Sequence, residues 1–307
     1  MPDQITVPGR LLCWFKSVRA YSFPVSLIPV ACVAASSLFQ GSEFRSGFLM
    51  PLVFSVLLMH AGANMLNDYY DWKSGADSLS SYGCSRALVE AQLSSGQFLA
   101  AGRLLLLGGV LCGVPLAFAR GPLLWAVGIA GLSAGYFYTA PPLAFKYCGW
   151  GDLIIFLAFG PLPACGTALA LSGKIAPETL LLSLLCGFFA VCVVSANNLR
   201  DMDEDRAAGA ETLAVKMGAV FTAWEYAILL NLAYFFVPLL IRQGVYPAAS
   251  GWMVLTYPLA LANQGSVRKF LATGDRKIIS GLDQRTAWLY ALFSGFLILP
   301  GLSKILV

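Results

Sequence analysis

Residues 48–77 read FLMPLVFSVLLMHAGANMLNDYYDWKSGAD and join two very different kinds of sequence. The first nineteen residues, 48–66, contain no charged side chain unless His60 is protonated, and the next eleven contain three carboxylates. An apolar run of about twenty residues is long enough to cross a hydrocarbon core of about 30 Å as a helix. The segment therefore predicts a membrane-spanning helix whose end carries an acidic motif.

The whole chain has the composition of a polytopic membrane protein. Of its 307 residues, 58% are hydrophobic and 12% are charged, whereas soluble domains carry about 25% charged residues. Nine apolar segments without a sustained charged face predict nine transmembrane helices in an all-α bundle, which we expect to form one domain over residues 1–307. The segments are 20–39, 48–66, 98–119, 121–138, 151–172, 177–198, 220–241, 245–263 and 286–306.

The basic residues predict the orientation of this bundle in the membrane. If the N-terminus is cytoplasmic, fifteen of the twenty Lys and Arg residues fall in the N-terminal tail and the loops on the same side. This asymmetry satisfies the positive-inside rule. We therefore expect a protein of the cytoplasmic (inner) membrane, surrounded by lipid, with its N-terminus and acidic motifs facing the cytoplasm.

Two other kinds of site are disfavoured. No basic run with interleaved aromatic residues indicates nucleic-acid binding. The eight cysteines have no CxxC spacing, and most lie inside apolar segments, where a free cysteine behaves as a small hydrophobe. We expect neither a structural disulfide nor a metal–thiolate site.

A second acidic motif follows the sixth predicted span, where residues 195–209 read SANNLRDMDEDRAAG. Asn67 and Asp71 are four positions apart, and Asn197 and Asp201 repeat this spacing 130 positions later. Four predicted helices separate the two motifs, so both end a helix at the same membrane face. The pattern indicates a parallel internal repeat of helices 1–4 and 5–8, and such repeats can build a central site.

The two motifs together predict a metal and diphosphate site. Residues four apart share a helix face, and two acidic faces turned toward each other repel unless cations neutralise them. Carboxylate and amide oxygens suit Mg²⁺, which completes its shell with substrate phosphates. Basic side chains in the same loops are suited to bind diphosphate. The candidate metal ligands are Asn67, Asp68, Asp71, Asp77, Asp201 and Asp205, and the candidate diphosphate ligands are Lys73, Arg86, Lys146, Arg200 and Arg206.

A diphosphate site that opens into an apolar bundle predicts a prenyl diphosphate as substrate. The same residues resemble those of the UbiA superfamily of intramembrane aromatic prenyltransferases, whose two motifs are N-x-x-x-D-x-x-x-D and D-x-x-x-D. Residues 138–162, 197–218 and 282–287 are most similar to the branch that prenylates 1,4-dihydroxy-2-naphthoate for menaquinone. The third acid of the first motif stands at Asp77, where the general pattern would place it at Gly75, and this shift is typical of the naphthoate branch.

The resemblance implies a role for each motif residue. Asn67, Asp71 and Asp77 would hold one Mg²⁺ and Asp201 and Asp205 a second, with Asp71 and Asp201 central to catalysis. Lys146, Arg86 and Arg206 would bind the diphosphate. Tyr138, Tyr69 and Asn197 are candidates for contact with the aromatic acid or with the allylic cation. The second motif lacks the Gly-Lys that often precedes the threonine in bacterial members, since Gly209-Ala210-Glu211-Thr212 stands there.

Other readings of the sequence remain open. The acids could be solvated loop residues, although two copies with matched spacing argue against that. A divalent-cation or phosphate transporter would also place acids in a membrane repeat, and another acceptor such as 4-hydroxybenzoate fits the same fold. His60, the one histidine, is either a packed, hydrogen-bonded residue or a base.

Overall fold

The computed structural model describes residues 7–76 and 87–302, and within these residues it contains helices and no strand. Hydrogen bonding inside each helix satisfies the backbone, as a lipid environment requires. The α-helices are α1 (Val7–Ser17), α2 (Phe23–Phe39), α3 (Leu49–Ser74), α4 (Ser95–Arg120), α5 (Pro122–Phe137), α6 (Gly151–Phe159), α7 (Pro161–Ser172), α8 (Pro177–Ala207), α9 (Leu213–Arg242), α10 (Tyr257–Thr273) and α11 (Leu282–Leu302).

Helices lie at each of the nine predicted apolar segments. Six helical segments of the described chain are long and apolar enough to cross a membrane by length and composition, and Pro122–Phe137 is a shorter apolar helix. The six are Leu12–Phe39, Ser46–Ser74, Ser95–Arg120, Gly151–Ser172, Pro177–Ala207 and Leu213–Arg242. The all-α membrane fold is confirmed, whereas the count of nine spans and the parallel repeat stay predictions.

The two motif helices extend well beyond their apolar segments. α3 continues from the predicted end at residue 66 to Ser74, and α8 continues from residue 198 to Ala207. Asn67 and Asp71 of the first motif, and Asn197, Asp201 and Asp205 of the second, are therefore helical, as the i, i+4 spacing requires. α3 ends where Gly75 adopts a left-handed conformation with φ 83°, which is the usual way to terminate a helix.

The fifth predicted span is two helices. α6 ends before Gly160, and Pro161 begins α7, in the first turn, where a missing backbone N–H costs no helical hydrogen bond. Gly160 also lies against α8, since a Cβ atom there would stand 2.5 Å from the Ser183 carbonyl oxygen. The fifth predicted span is thus interrupted at Gly160.

The prediction for residues 245–263 was wrong in its bounds, and one helix was missed. Residues Ala248–Thr256 form a 3₁₀-helix, and the α-helix begins only at Tyr257. Pro258 in its first turn favours that start. α1 escaped a search for apolar runs because it is amphipathic, and its exposed Lys16 lies next to the buried Ser17.

Close backbone contacts bring α3 against α4 and α8 against α9. A Cβ atom at Gly62 of α3 would lie 2.8 Å from the Gly102 carbonyl oxygen of α4, so only glycine fits there. Small residues allow such approach between membrane helices, where packing replaces the hydrophobic drive. At the centre, Phe189 of α8 stacks on Tyr290 of α11 with ring centroids 4.7 Å apart. This packing fixes α8, and with it the second acidic motif.

Candidate active site

A cavity of about 430 Å³ lies between the motif helices. Its polar end is formed by the last turns of α3 and α8 and by the loop between α5 and α6, with Asp71, Lys146 and Asp201 in its wall. Farther from these helix ends, the wall is mostly apolar and includes Met59 and Phe159. The cavity thus has a charged head and an apolar body.

The first motif meets the loop between α5 and α6. Nζ of Lys146 donates to both carboxylate oxygens of Asp71, at 2.8 and 2.7 Å. The Tyr147 hydroxyl donates to Oδ1 of Asp71 at 2.7 Å, and Nδ2 of Asn67 donates to Oδ2 at 2.8 Å. Asp71 is 4% exposed, so its negative charge is satisfied by these donors rather than by water.

Charge pairing keeps Lys146 protonated despite its burial. Burial lowers the pKa of the Lys146 ammonium, but the Asp71 carboxylate, Tyr147, Tyr138 and Asp205 together raise it by more. The pKa of Lys146 therefore lies well above its ordinary value. Burial and the same carboxylate also raise the pKa of the Tyr147 hydroxyl, which stays a hydrogen-bond donor.

The second motif is held by an arginine. Nε and Nη2 of Arg200 donate to the two oxygens of Asp201, both at 2.7 Å. Nη1 of Arg200 donates to Oδ2 of Asp283 at 3.0 Å, which ties α8 to α11. Such a two-point pairing of guanidinium and carboxylate is strong and directional. Arg200 thus neutralises Asp201 in the way that Lys146 neutralises Asp71.

The two motifs meet at this head. Asp205 is buried, and its charge interacts with those of Lys146, Asp201 and Asp71. Eight of the candidate site residues predicted from the two motifs and their loops line the same cavity: Asn67, Asp71, Tyr138, Lys146, Asn197, Arg200, Asp201 and Asp205. The expectation that the ends of the second and sixth predicted spans lie together is therefore confirmed.

The structure corrects the placement of Asp68. This carboxylate is 2% exposed and pairs with the Arg19 guanidinium. One residue advances a helix by about 100°, so the side chain next to Asn67 leaves the face that lines the cavity. We therefore remove Asp68 from the candidate metal ligands.

Three further candidates also lie away from the cavity lining. Tyr69 packs edge-on against Tyr70 with ring centroids 5.1 Å apart. Lys73 is exposed, and Arg206 pairs with the exposed Asp203 at 3.3 Å. Their predicted contacts with substrate are not supported by this placement. Asp77 and Arg86 lie outside the described residues.

Sequence reasoning missed three residues at the head. Tyr147 is next to Lys146 in the chain, so the assignment of Lys146 to the diphosphate could have drawn attention to Tyr147. Asp283 lies in the segment LDQRTA, residues 282–287, which carried the family resemblance but no assigned role. Arg19, which also lines the cavity, is the last residue of the predicted N-terminal tail and was counted there only as one of its basic residues.

The donor set of the head fits a hard cation. The side chains that face the cavity from the two motifs offer carboxylate and amide oxygens, the ligands that Mg²⁺ prefers. Within residues 7–76 and 87–302, however, no three His, Cys, Asp or Glu side chains form a ready metal-binding group. The Lys146 and Arg200 cations instead contact the Asp71 and Asp201 carboxylates. A metal ion would have to displace these contacts.

Residues 26–280 match the UbiA prenyltransferase family. This chain belongs to that family. It is a prenyltransferase and an integral membrane protein. Family membership confirms the resemblance seen in the motifs and favours the enzyme over a transporter.

Relatives extend the match over most of the chain. UbiA prenyltransferase domain-containing protein 1 of Xenopus tropicalis is 32% identical over 283 residues, covering 91% of this chain and 79% of the relative. The 1,4-dihydroxy-2-naphthoate octaprenyltransferase of Bacillus subtilis is 27% identical over 249 residues, covering 81% of this chain and 78% of the relative.

Solved structures share the fold. A UbiA homolog from Archaeoglobus fulgidus, solved with DMAPP and Mg²⁺ bound, has a TM-score of 0.63 at 15% identity and covers 96% of this chain and 99% of its own. A UbiA homolog from Aeropyrum pernix has a TM-score of 0.66 at 16% identity, covering 94% of this chain and 99% of its own.

Proposed function

We propose that this prenyltransferase moves the prenyl group of a prenyl diphosphate onto 1,4-dihydroxy-2-naphthoate, with loss of the ring carboxylate as CO₂, to give a demethylmenaquinone in its quinol form. The observation that carries the proposal is the junction of the two motifs. Asp71 and Asp201 stand at the head of one apolar cavity, each with a cation paired against it. That arrangement suits a substrate with a charged head and a hydrocarbon tail.

The acceptor is inferred from sequence similarity. The Bacillus subtilis relative is named for 1,4-dihydroxy-2-naphthoate, and the segments 138–162, 197–218 and 282–287 resemble that branch. The name of the Xenopus tropicalis relative specifies no acceptor. Prenylation of 4-hydroxybenzoate is the alternative that the experiment below distinguishes.

The head is suited to bind the diphosphate. Lys146 and Arg200 are the cations that line the cavity beside the two motif carboxylates. On arrival of the substrate, they would transfer their hydrogen bonds from Asp71 and Asp201 to phosphate oxygens. The freed carboxylates, with Asn67 and Asp205, would then hold Mg²⁺. Bound there, Mg²⁺ supplies Lewis-acid stabilisation of the diphosphate as it leaves.

The transfer itself balances without an added proton. The C–O bond to the diphosphate breaks and the diphosphate keeps the electron pair, while a ring carbon of the acceptor bonds to the allylic carbon. The bond from that ring carbon to the carboxylate then breaks, CO₂ leaves, and its electron pair restores the aromatic ring. Lys146 and Arg200 stabilise the negative charge that develops on the leaving group.

The apolar body of the cavity has two uses. Its walls, which include Met59, Ile129 and Phe159, exclude water, which would otherwise capture the allylic cation. They also accept the prenyl tail. A volume of about 430 Å³ lies within the range of about 300–1,000 Å³ that is typical of small-molecule sites.

Product analysis tests this proposal. Purified protein in lipid vesicles would receive Mg²⁺ and labelled geranyl diphosphate, with 1,4-dihydroxy-2-naphthoate, 4-hydroxybenzoate or no acceptor. We expect a prenylated naphthalenediol that lacks the carboxylate, no product in EDTA, and recovery of activity when Mg²⁺ is returned. Preferential prenylation of 4-hydroxybenzoate, or a naphthoate product that keeps its carboxylate, would overturn the acceptor assignment.

We further propose that the head of the cavity faces the cytoplasm, on the basis of the charge asymmetry of the loops. Cys148 is an exposed thiol in the loop between α5 and α6, next to the head. A membrane-impermeant maleimide should label it in inside-out vesicles and leave it unlabelled in intact cells. The reverse pattern would place the head on the outer side.

A further inference from the structure

A small polar cluster interrupts the apolar wall of the cavity, away from the motif carboxylates. It consists of Ser22, Ser26, His60 and Asn64, all of which line the cavity. Nδ1 of His60 lies 2.9 Å from Oγ of Ser26, and Nε2 lies 3.3 Å from Oγ of Ser22. Neither the two motifs nor the binding of the diphosphate uses this cluster.

The hydrogen bonds of Ser22 and Ser26 indicate which nitrogen of the His60 imidazole carries the proton. Ser22 donates to the Arg19 carbonyl at 2.8 Å and Ser26 to the Phe23 carbonyl at 3.0 Å. Each hydroxyl has one proton and gives it to a backbone carbonyl. Both serine oxygens therefore face the imidazole as acceptors. The ring proton belongs on Nδ1, which faces the nearer hydroxyl of Ser26, and Nε2 keeps a lone pair.

With the ring proton assigned to Nδ1, Nε2 of His60 receives no hydrogen bond from a donor in the described part of the chain. Among the residues that the structure describes, its hydrogen-bond contact is Oγ of Ser22, which already donates to a carbonyl and accepts from Nδ2 of Asn64 at 3.2 Å. His60 itself is only 8% exposed. A buried acceptor without a donor is costly, and one in the wall of a binding cavity is suited to a ligand hydroxyl.

The position of His60 matches the expected place of the acceptor ring. His60, Asn64, Asn67 and Asp71 follow one another at helical spacing along the face of α3 that lines the cavity. Eleven residues of helix place His60 about 16 Å from Asp71 along the axis. A substrate whose diphosphate binds beside Asp71 would direct its reacting carbon along this face toward His60.

Aromatic neighbours restrict the imidazole on both sides. The Phe159 ring lies edge-on at 4.9 Å between centroids, and the Phe23 ring lies at 5.6 Å. With Nδ1 held by Ser26, the ring has a fixed direction. We propose that Nε2 of His60 accepts a hydrogen bond from a ring hydroxyl of the aromatic acceptor and so positions the nucleophilic ring carbon against the allylic carbon. This role rests on the proposed function, because it requires a hydroxylated aromatic acceptor.

Two matched variants test the contributions of the two His60 ring nitrogens separately. In His60→Asn the amide can still donate to Ser26 but nothing replaces Nε2, whereas in His60→Gln the longer amide can place an oxygen near the Nε2 position. We expect His60→Asn to lower kcat/KM for the acceptor by about 10- to 100-fold, the effect of losing one hydrogen bond in a dry site. We expect His60→Gln to retain more activity, and the KM for geranyl diphosphate to stay unchanged in both.

Methylated acceptors supply the decisive measurement. The two mono-O-methyl ethers of 1,4-dihydroxy-2-naphthoate each remove one hydroxyl donor. The wild-type protein should discriminate against one ether by about the same factor that His60→Asn loses, and His60→Asn should no longer discriminate, as in a double-mutant cycle.

Each outcome bears on a different claim. Unchanged acceptor kinetics in His60→Asn, or equal discrimination by the wild type and the variant, would overturn the role of His60. If His60→Asn lowers the melting temperature but discriminates between the two methyl ethers as the wild type does, the role is also overturned, since a packing role predicts that result. If the wild type prenylates no aromatic acceptor at all, the proposed function itself fails.

Discussion

Nζ of Lys146 lies 2.8 and 2.7 Å from the two carboxylate oxygens of Asp71, although 75 positions separate these residues in the chain. The contact joins the end of α3 to the loop between α5 and α6 at the head of the cavity. It neutralises a buried carboxylate where the substrate is expected to bring both cations and anions.

The first prediction concerns the motif carboxylates. Asp71→Asn and Asp201→Asn keep the shape of each side chain but remove the charge that would hold Mg²⁺. We expect each to lower kcat/KM for prenyl transfer by at least about 100-fold, as for other groups that stabilise developing charge. The measurement is product formation from labelled geranyl diphosphate.

Asp203→Asn is the matched control for these variants, because Asp203 belongs to the same acidic stretch but is exposed and pairs with Arg206 and Arg276. Its activity should stay within about twofold of the wild type, as expected for exposed ion pairs. Near-normal turnover in Asp71→Asn or Asp201→Asn would contradict the assignment of the head as the site of chemistry.

The second prediction distinguishes the contact of Lys146 with Asp71 from its proposed contact with the substrate diphosphate. In Lys146→Met the Asp71 carboxylate loses its cation, so Mn²⁺ alone, followed by electron paramagnetic resonance, should bind more tightly than to the wild type. Geranyl diphosphate with Mg²⁺ should bind about 10- to 100-fold more weakly, because a charge-assisted contact is lost.

Lys216→Met serves as the control for that variant. Lys216 is 40% exposed on its side chain and pairs with Glu211 outside the cavity lining, so neither affinity should change. If Lys146→Met weakened Mn²⁺ and diphosphate binding together, the competition between Lys146 and a metal ion for Asp71 would be refuted.

The third prediction follows from the corrected placement of Asp68. Asp68→Asn breaks a buried ion pair with Arg19, and loss of one partner of such a pair costs about 3 kcal/mol. We expect a lower melting temperature in detergent but unchanged affinity for Mn²⁺. A loss of metal affinity at an unchanged melting temperature would restore Asp68 to the metal ligands.

The fourth prediction tests the packing that holds α8. Gly187→Ala adds a Cβ atom that would lie 2.5 Å from the Phe156 ring of α6, and Gly160→Ala adds one 2.5 Å from the Ser183 carbonyl oxygen of α8. Overpacking of this kind costs about 1–3 kcal/mol, which should appear as a lower melting temperature.

Gly295→Ala in α11 is the control for both glycine variants, because a Cβ atom there would have nothing within 4 Å. Alanine is also the better helix former, so the melting temperature should stay the same or rise. Equal effects at Gly160, Gly187 and Gly295 would show that helix propensity, rather than close packing, sets the outcome.

The placement of the site residues was predictable where helical spacing alone decides it. Asn67 and Asp71, and likewise Asn197 and Asp201, line the cavity because residues four apart share a face. Asp68 and Tyr69 adjoin those residues in sequence but point elsewhere on the same helix. Their exclusion depends on which face α3 turns toward α8, and that is decided by packing against α4 at Gly62.

Residues far apart in the chain were harder to assign. Asp283 meets Arg200 across 83 positions, and no local pattern marks that pairing. The limits of α10 were also mistaken, since hydropathy reports which residues avoid water and not where a 3₁₀-helix gives way to an α-helix at Tyr257.

The sequence by itself determined that this protein is a helical membrane protein with two matched acidic motifs, because apolar length and i, i+4 spacing are local properties of the chain. Only the tertiary structure decided which cation neutralises which carboxylate, and that His60 lines the cavity with its Nε2 atom 3.3 Å from Oγ of Ser22. Those facts depend on how helices distant in sequence rotate and pack against one another, which is fixed by contacts such as that of Gly160 with Ser183.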